Sequence, residues 1–172
     1  DFAEKIGIDM FEILDAIRYR PTHSNIRQPG FGVGGYCLTK DPLFPFVTKN
    51  VFYKHLNFSF PFLKMTSKIN TQMPLRNLNR IEKILDKGLK DKKVLIMGVT
   101  YRSDVGDTRY SATETLYKEA LKKGAFITLH DPCIEFWPEL NLNINSLVPN
   151  PQIFDLIIFC VPHTYYKKFN IL

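Results

Sequence analysis

A cysteine that follows a glycine-rich loop is the residue of this sequence best suited to covalent chemistry. Four glycines lie within residues 30–35, and Cys37 follows them closely. Such loops bring backbone close to a ligand, and Lys40 is a cation that could stabilise a thiolate. Asp41 would share a helix face with Cys37, where its carboxylate could accept a proton or order a water. The spacing alone leaves open whether Cys37 is a nucleophile or an inert, packed cysteine.

The same loop matches the GxGxxG pattern of dinucleotide-binding loops over residues 30–35. Such a loop works only between a strand and a helix, because the pyrophosphate must meet a helix N-terminus. Residues 23–29 have no strand pattern, so we reject this interpretation. The run 94–98 does have one, but the loop after it, 99–104, lacks the glycines. This second unit is therefore Rossmann-like in topology without the fingerprint.

Capping signals and apolar spacing predict the helices of the first half. A capping box precedes apolar residues at helical spacing and predicts a helix over 9–18. Residues 1–6 fit the last turns of another helix that ends at Gly7, so we expect the chain to begin inside an element. A long helical stretch is predicted over 62–89, with Pro74 either kinking it or starting a second helix.

The second half has a different pattern. Short apolar runs at 94–99, 125–129 and 156–161 predict strands, and the first run is typical of a strand buried on both faces. A capping box at Ser111 predicts a helix that stops at Gly124. This order predicts an α/β fold, with a mostly helical region followed by a Rossmann-like parallel sheet. Three strands are fewer than the five or six of a doubly wound fold, so we expect an incomplete sheet.

Composition narrows the class of protein. The chain has 172 residues, 45% apolar and 23% charged, which is enough to bury a core. There is no apolar run long enough for a membrane span and no signal-peptide pattern, so we expect a cytoplasmic protein without a membrane partner. The net charge of +6 comes from scattered basic residues, which argues against a nucleic-acid partner. The three cysteines and four histidines lack metal-ligand spacing, so no metal site is predicted.

Two longer stretches resemble one known family. Residues 30–42, GFGVGGYCLTKDP, closely resemble the catalytic cysteine loop of the UDP-glucose/GDP-mannose dehydrogenase family, the nucleotide-sugar 6-dehydrogenases. Residues 94–132, with the run from Gly98 to Arg109, resemble the C-terminal nucleotide-sugar-binding domain of that family. The two stretches stand in the family's order and together make the resemblance specific.

The resemblance implies oxidation of the sugar C6 alcohol to a carboxylate with two NAD⁺ in succession. The aldehyde is captured by the cysteine as a thiohemiacetal, and a second hydride transfer gives a thioester that water hydrolyses. By position, Cys37 matches the nucleophile and Asp41 its acid–base or water-ordering partner. Lys40 and Arg109 match positions that approach NAD. The positions that match substrate-binding residues are Phe31, Gly32, Gly34, Tyr101 and Arg102.

The family pattern also gives the domain organisation. Its enzymes begin with an NAD-binding domain that has no counterpart here. We therefore predict a central helical domain over 1–91, with the cysteine loop at 21–42, and an incomplete nucleotide-sugar-binding domain over 92–172. The resemblance implies a UDP-sugar substrate whose sugar stays open, a homodimer through the central helices, and no activity of this chain alone. The alternative is a non-catalytic nucleotide-sugar-binding or dimerisation module.

Asp131 occupies the place of a ribose-binding acid. It is not assigned to NAD, because this domain holds the nucleotide sugar in the family.

Overall fold

The computed structural model describes residues 2–85 and 88–169. The chain divides into two compact units, one up to Gly30 and one from Phe31 onwards. The boundary between residues 91 and 92, which the sequence pattern suggests, stays a prediction. Among the described residues, no helix is both long enough and apolar enough to cross a membrane.

The first unit is helical. Its elements are α1 (Phe2–Lys5), α2 (Met10–Arg18) and a 3-10 turn (Pro21–His23). The Asp9 carboxylate caps α2 by accepting the Phe11 N–H at 2.7 Å, and Leu14 is the buried residue on this helix. Gly7 ends the first helix with a φ of 73°. Both helices predicted here are confirmed, although Asp1 lies outside the described residues.

The second unit begins with three helices and a fourth follows the first strand. They are α3 (Tyr36–Lys40), α4 (Phe44–Phe52), α5 (Pro61–Ile84) and α6 (Ala112–Lys122). The predicted long helix is a single element that continues through the buried Pro74. It ends earlier than predicted because Leu85 adopts an extended backbone conformation. Leu89, predicted to lie on this helix, instead lies in a turn and is buried in the core.

A three-stranded parallel sheet forms the centre of this unit. The strands are β1 (Lys93–Met97), β2 (Phe126–His130) and β5 (Leu156–Phe159), in the order β2-β1-β5. Leu95 of β1 pairs with Thr128 on one side and with Ile157 on the other. The predicted α/β class and the three strands are confirmed. A small antiparallel hairpin, β3 (Phe136–Trp137) with β4 (Leu142–Asn143), was not expected.

The two faces of β1 pack into two separate cores. Val94 and Ile96 face a large core that includes Leu78 of α5, Leu116 of α6 and the indole of Trp137. The alternate residues of the strand, Leu95 and Met97, face a smaller cluster around Tyr166. A central parallel strand covered on both sides explains why its sequence is a continuous apolar run. Because the strands are parallel, their carboxyl ends meet at one edge of the sheet, where ligands bind in such folds.

Candidate active site

The glycine loop packs against the segment that follows β1. A Cβ atom on Gly34 would lie 2.7 Å from Tyr101 Cβ and 2.8 Å from the Tyr110 carbonyl oxygen, so no side chain fits there. The next residue, Gly35, has a φ of 86° and donates its N–H to the Arg109 carbonyl at 3.0 Å. The close approach that the sequence predicts is therefore made to the chain's own loop.

Asn70 of α5 holds the other side of the glycine loop. Its side-chain carbonyl accepts the Val33 N–H at 2.7 Å, and its amide donates to the Val33 carbonyl at 2.8 Å. This reciprocal pair satisfies both backbone groups of one loop residue. Gly32 lies beside the same amide, and Phe31 packs against the large core. The sequence pattern gave no sign of Asn70, because its partner is 37 residues away in the chain.

Helix α3 carries the predicted thiol, and the predicted carboxylate follows its last residue. Cys37 is exposed near its start, and the backbone N–H of Asp41 donates to the Cys37 carbonyl, which places the two residues one helical turn apart. Lys40 Nζ lies 2.6 Å from an Asp41 carboxylate oxygen. This hydrogen bond raises the pKa of Lys40, so the ammonium form is favoured beside the thiol-bearing turn.

Two cations approach one aromatic ring next to Cys37. Lys40 Nζ lies 4.6 Å and the Arg109 guanidinium carbon 5.4 Å from the centre of the Tyr36 ring. Arg109 is held by two-pronged contacts with Asp107, which raise the pKa of Arg109 and lower that of Asp107. The Arg109 side chain is 57% exposed, so it can still reach a bound anion. The structure thus brings Lys40 and Arg109, 69 positions apart in the sequence, to one place.

Tyr101 and Arg102 lie on the loop that leaves β1. The Tyr101 N–H donates to the Asp107 carbonyl at 2.9 Å, which closes the loop on itself. Arg102 is exposed, and its carbonyl accepts the Thr100 hydroxyl at 3.3 Å. Tyr101 is half-buried beneath the glycine loop. The loop therefore presents a guanidinium to solvent from a backbone fixed by internal hydrogen bonds.

A buried carboxylate anchors this loop from below. One oxygen of Asp131 accepts the N–H groups of Val99 and Thr100 at 2.8 and 3.1 Å, together with the Thr100 hydroxyl. The other oxygen accepts the Cys133 N–H at 2.9 Å. Burial by itself would raise the pKa of Asp131, but the bonds from His163 and these amides outweigh it and lower the pKa. Asp131 is thus an internal ligand of the chain rather than a ribose-binding acid.

Three metal-ligating residue types meet at the same edge, although their sequence spacing gave no sign of it. Ligand atoms of Asp131, Cys133 and His163 lie within 4.8 Å of one another. Asp131 already accepts the backbone N–H groups named above, and His163 Nδ1 accepts the Asp104 N–H at 3.0 Å. Burial raises the pKa of the Cys133 thiol, which disfavours a thiolate ligand. The cluster therefore works as a hydrogen-bonded support. Each member follows the end of a parallel strand, which is the sequence signal that could have linked them.

The fold and this site define a class of protein. In this class a thiol-bearing loop packs on the segment at the carboxyl edge of a Rossmann-like sheet. The UDP-glucose/GDP-mannose dehydrogenase family model for the central domain matches residues 1–72, and that for the UDP binding domain matches residues 95–172. The chain belongs to the UDP-glucose/GDP-mannose dehydrogenase family.

Individual relatives show the same relationship. The chain is 32% identical over 168 residues to UDP-N-acetyl-D-mannosamine dehydrogenase of Methanocaldococcus jannaschii, covering 98% of this chain and 36% of that protein. It is 27% identical over 177 residues to UDP-glucose 6-dehydrogenase of Rickettsia conorii, and the match covers 99% of this chain and 40% of that protein. The crystal structure of NDP-N-acetyl-D-galactosaminuronic acid dehydrogenase from Methanosarcina mazei superposes with a TM-score of 0.78 at 24% identity, covering 98% of this chain and 37% of that one. The chain thus spans between a third and two fifths of the length of these relatives.

Proposed function

We propose that this chain supplies the catalytic thiol and the nucleotide-sugar-binding surface of an NAD-dependent UDP-sugar 6-dehydrogenase. The observation that carries the proposal is the hydrogen bond from the Gly35 N–H to the Arg109 carbonyl. It joins the cysteine loop to the segment 99–111, so that a thiol, a carboxylate and two cations lie on one surface. The names of the relatives, which act on UDP-sugars, support the substrate class.

In this mechanism Cys37 holds the carbon that is oxidised. Its sulfur adds to the C6 aldehyde, so that an S–C bond forms, the carbonyl oxygen takes a proton, and the product is a thiohemiacetal. After the second oxidation the same carbon is a thioester. Water then attacks it, the S–C bond breaks, and a carboxylate and the Cys37 thiol remain. Asp41, one helical turn from Cys37 at the end of α3, is the group that accepts the thiol proton or orders the water.

Lys40 and Arg109 are the residues that would hold the cofactor. Both are cations that lie over the Tyr36 ring at the surface, and such a pair suits the phosphates of a dinucleotide. When bound, NAD⁺ supplies the hydride acceptor for both oxidations. Both side chains are charged and reach the surface, Arg109 with 57% and Lys40 with 29% of the side chain exposed, so cofactor binding is expected to weaken as the salt concentration rises.

The loop residues form the substrate side of the site. The Arg102 guanidinium is suited to the pyrophosphate of a UDP-sugar, and Tyr101 offers an aromatic surface beside it. The resemblance also assigns Phe31, Gly32 and Gly34 to the substrate side, where Gly34 packs directly against Tyr101 and would act through the position of that residue. Relatives named for N-acetylmannosamine and for glucose both match the chain, so a panel of UDP-sugars is the measurement that identifies the sugar.

The proposed homodimer would use the central helices. On α5 the side chains of Phe62, Met65 and Ile69 share one face and are 68%, 52% and 41% exposed. An apolar stripe of this kind is typical of an interface. Sedimentation equilibrium of the purified chain measures whether this stripe pairs two copies.

Replacing one thiol tests the mechanism. In the intact dehydrogenase, Cys37→Ser is expected to lower uronate formation by more than about 10³-fold, because a serine hydroxyl at this position cannot form the thioester. The matched control is Cys133→Ser, since Cys133 is also exposed but lies outside the cysteine loop. Full activity of the Cys37→Ser enzyme would remove Cys37 from the mechanism.

Calorimetry of the 172-residue chain separates this proposal from a purely binding role. We expect the chain by itself to bind UDP and to produce no NADH. If the intact protein likewise binds UDP-sugars but never reduces NAD⁺, the chain is a binding or dimerisation module.

A further inference from the structure

His163 contacts the substrate loop with both nitrogens of its ring. It follows strand β5 and is 1% exposed. Its Nε2 lies 3.0 Å from the Thr100 hydroxyl oxygen of that loop and 3.1 Å from the buried Asp131 carboxylate, and its Nδ1 lies 3.0 Å from the backbone nitrogen of Asp104. An N–H group can only donate, so Nδ1 accepts and Nε2 carries the proton that bonds to Asp131. Asp131 therefore selects the tautomer that lets His163 hold the backbone of residue 104.

The Asp104 side chain in turn bonds to the segment that carries His163. Its carboxylate accepts the Thr164 N–H at 2.9 Å and the Thr164 hydroxyl at 2.6 Å. These bonds lower the pKa of Asp104 and favour its charged form. The two segments are thus joined reciprocally, side chain to backbone in each direction. The φ of Asp104 is 58°, a left-handed conformation that few residues adopt unless their surroundings impose it.

The contacts between residue 104 and residues 163–164 affect the residues that are proposed to bind the ligand. Tyr101 and Arg102 lie between the two fixed points of the loop, the Asp131 contacts at Val99 and Thr100 and the His163 contact at Asp104. Tyr101 Cβ is also the atom against which Gly34 packs. Loss of the His163 contact would leave residue 104 held to the neighbouring segment through its carboxylate bonds with Thr164, and would loosen the backbone that follows Tyr101 and Arg102.

We propose that His163 is a positioning residue for nucleotide-sugar binding, acting through its Nδ1 on the Asp104 N–H. The inference rests on the proposed function, in which Tyr101 and Arg102 contact the UDP-sugar. His163 itself is buried beneath the loop and touches no ligand in this role. It acts by fixing the loop in the binding conformation before the ligand arrives, so that less ordering is needed on binding.

Two substitutions separate the two nitrogens of the ring. In His163→Asn the amide oxygen can take the place of Nδ1 and accept the Asp104 N–H. In His163→Gln the longer amide can reach the place of Nε2 and donate to Asp131, but the Asp104 N–H loses its acceptor. His130→Gln is the matched control, because His130 is also fully buried at this edge and its described side-chain hydrogen bond is with Tyr166.

The readout is the Kd of UDP for the 172-residue chain, measured by calorimetry well below the melting temperature. We expect His163→Gln to raise the Kd about fivefold to tenfold, as fits the loss of one partly buried hydrogen bond. His163→Asn and His130→Gln should stay within about twofold of the original chain, even where their melting temperatures fall. Thr164→Val, which removes one exposed bond to Asp104, provides a milder variant should His163→Gln fail to fold, and is expected to raise the Kd about twofold.

Each outcome decides between the two proposals. Equal Kd values for the original chain, His163→Gln and Thr164→Val would overturn the positioning role and leave the proposed function standing. Equal weakening by His163→Asn and His163→Gln, in proportion to their loss of stability, would reduce His163 to a structural residue and overturn the inference. No UDP binding by the original chain would overturn the proposed function, and this inference with it.

Discussion

A single methyl group at Gly34 should separate the cysteine loop from the segment it packs on. In Gly34→Ala the new Cβ would meet Tyr101 Cβ at 2.7 Å and the Tyr110 carbonyl oxygen at 2.8 Å. Real Cβ atoms do not approach other atoms so closely, so the loop or the 101–111 segment must move. Neither neighbour is the flexible end of a side chain, because one is a Cβ and the other a backbone oxygen.

The cost follows from this overlap. Adding a methyl group to a tightly packed site costs about 1–3 kcal/mol when backbone must shift. The hydrogen bond from the Gly35 N–H to the Arg109 carbonyl lies next to the clash, and its loss would add about 1 kcal/mol. We therefore expect Gly34→Ala to lower the free energy of unfolding by about 2–4 kcal/mol.

The fluorescence of Trp137 can report unfolding, and Gly30 offers a control substitution. Trp137 is its one tryptophan and is fully buried in the large core, so its fluorescence follows unfolding of the sheet in urea. Gly30→Ala is the control, because a Cβ on Gly30 would have nothing within 4 Å. That substitution should leave stability unchanged or raise it by up to about 1 kcal/mol, by restricting the unfolded chain. A Gly34→Ala protein with the urea midpoint and UDP affinity of Gly30→Ala would refute the packing of the two loops.

Further predictions concern the buried carboxylate and the three thiols. Because the pKa of Asp131 lies below its ordinary value of 3.8, its stabilising contribution is complete above about pH 3.8 and is lost as the pH falls below that value. Asp131→Asn should cost about 1.5–3 kcal/mol at pH 7 and should flatten the decline of the urea midpoint with falling pH below about pH 4, whereas an unchanged slope would contradict the role given to this carboxylate. Alkylation at pH 8 followed by mass spectrometry should modify Cys37 first and Cys133 more slowly. Cys160 should react only after unfolding, because burial raises its pKa to about 12, and early modification of Cys160 would show that the core opens.

The sequence by itself determined the three parallel strands, several of the helices and the family. Strand β1 could be predicted because a parallel strand covered on both faces must be apolar at every position, and Val94 to Met97 are all buried. Helix α6 could be predicted because its cap is local: the Ser111 hydroxyl accepts the Thr113 N–H, and Gly124 ends the helix with a φ of 84°. The cysteine loop was recognisable because its residues are consecutive.

Only the tertiary structure decided which of these residues meet. Asp131 has the sequence position of a ribose-binding acid and was not assigned that role, and the structure shows that it binds the backbone of its own sheet edge. The histidine spacing gave no metal-ligand pattern and no sign of a partner for His163, yet the parallel strands bring it beside Asp131 from 32 positions away. Such contacts join the carboxyl ends of different strands, and their distances depend on strand order and register. Local sequence patterns record neither, and for that reason the hydrogen-bonded support of the site became visible only in the folded chain.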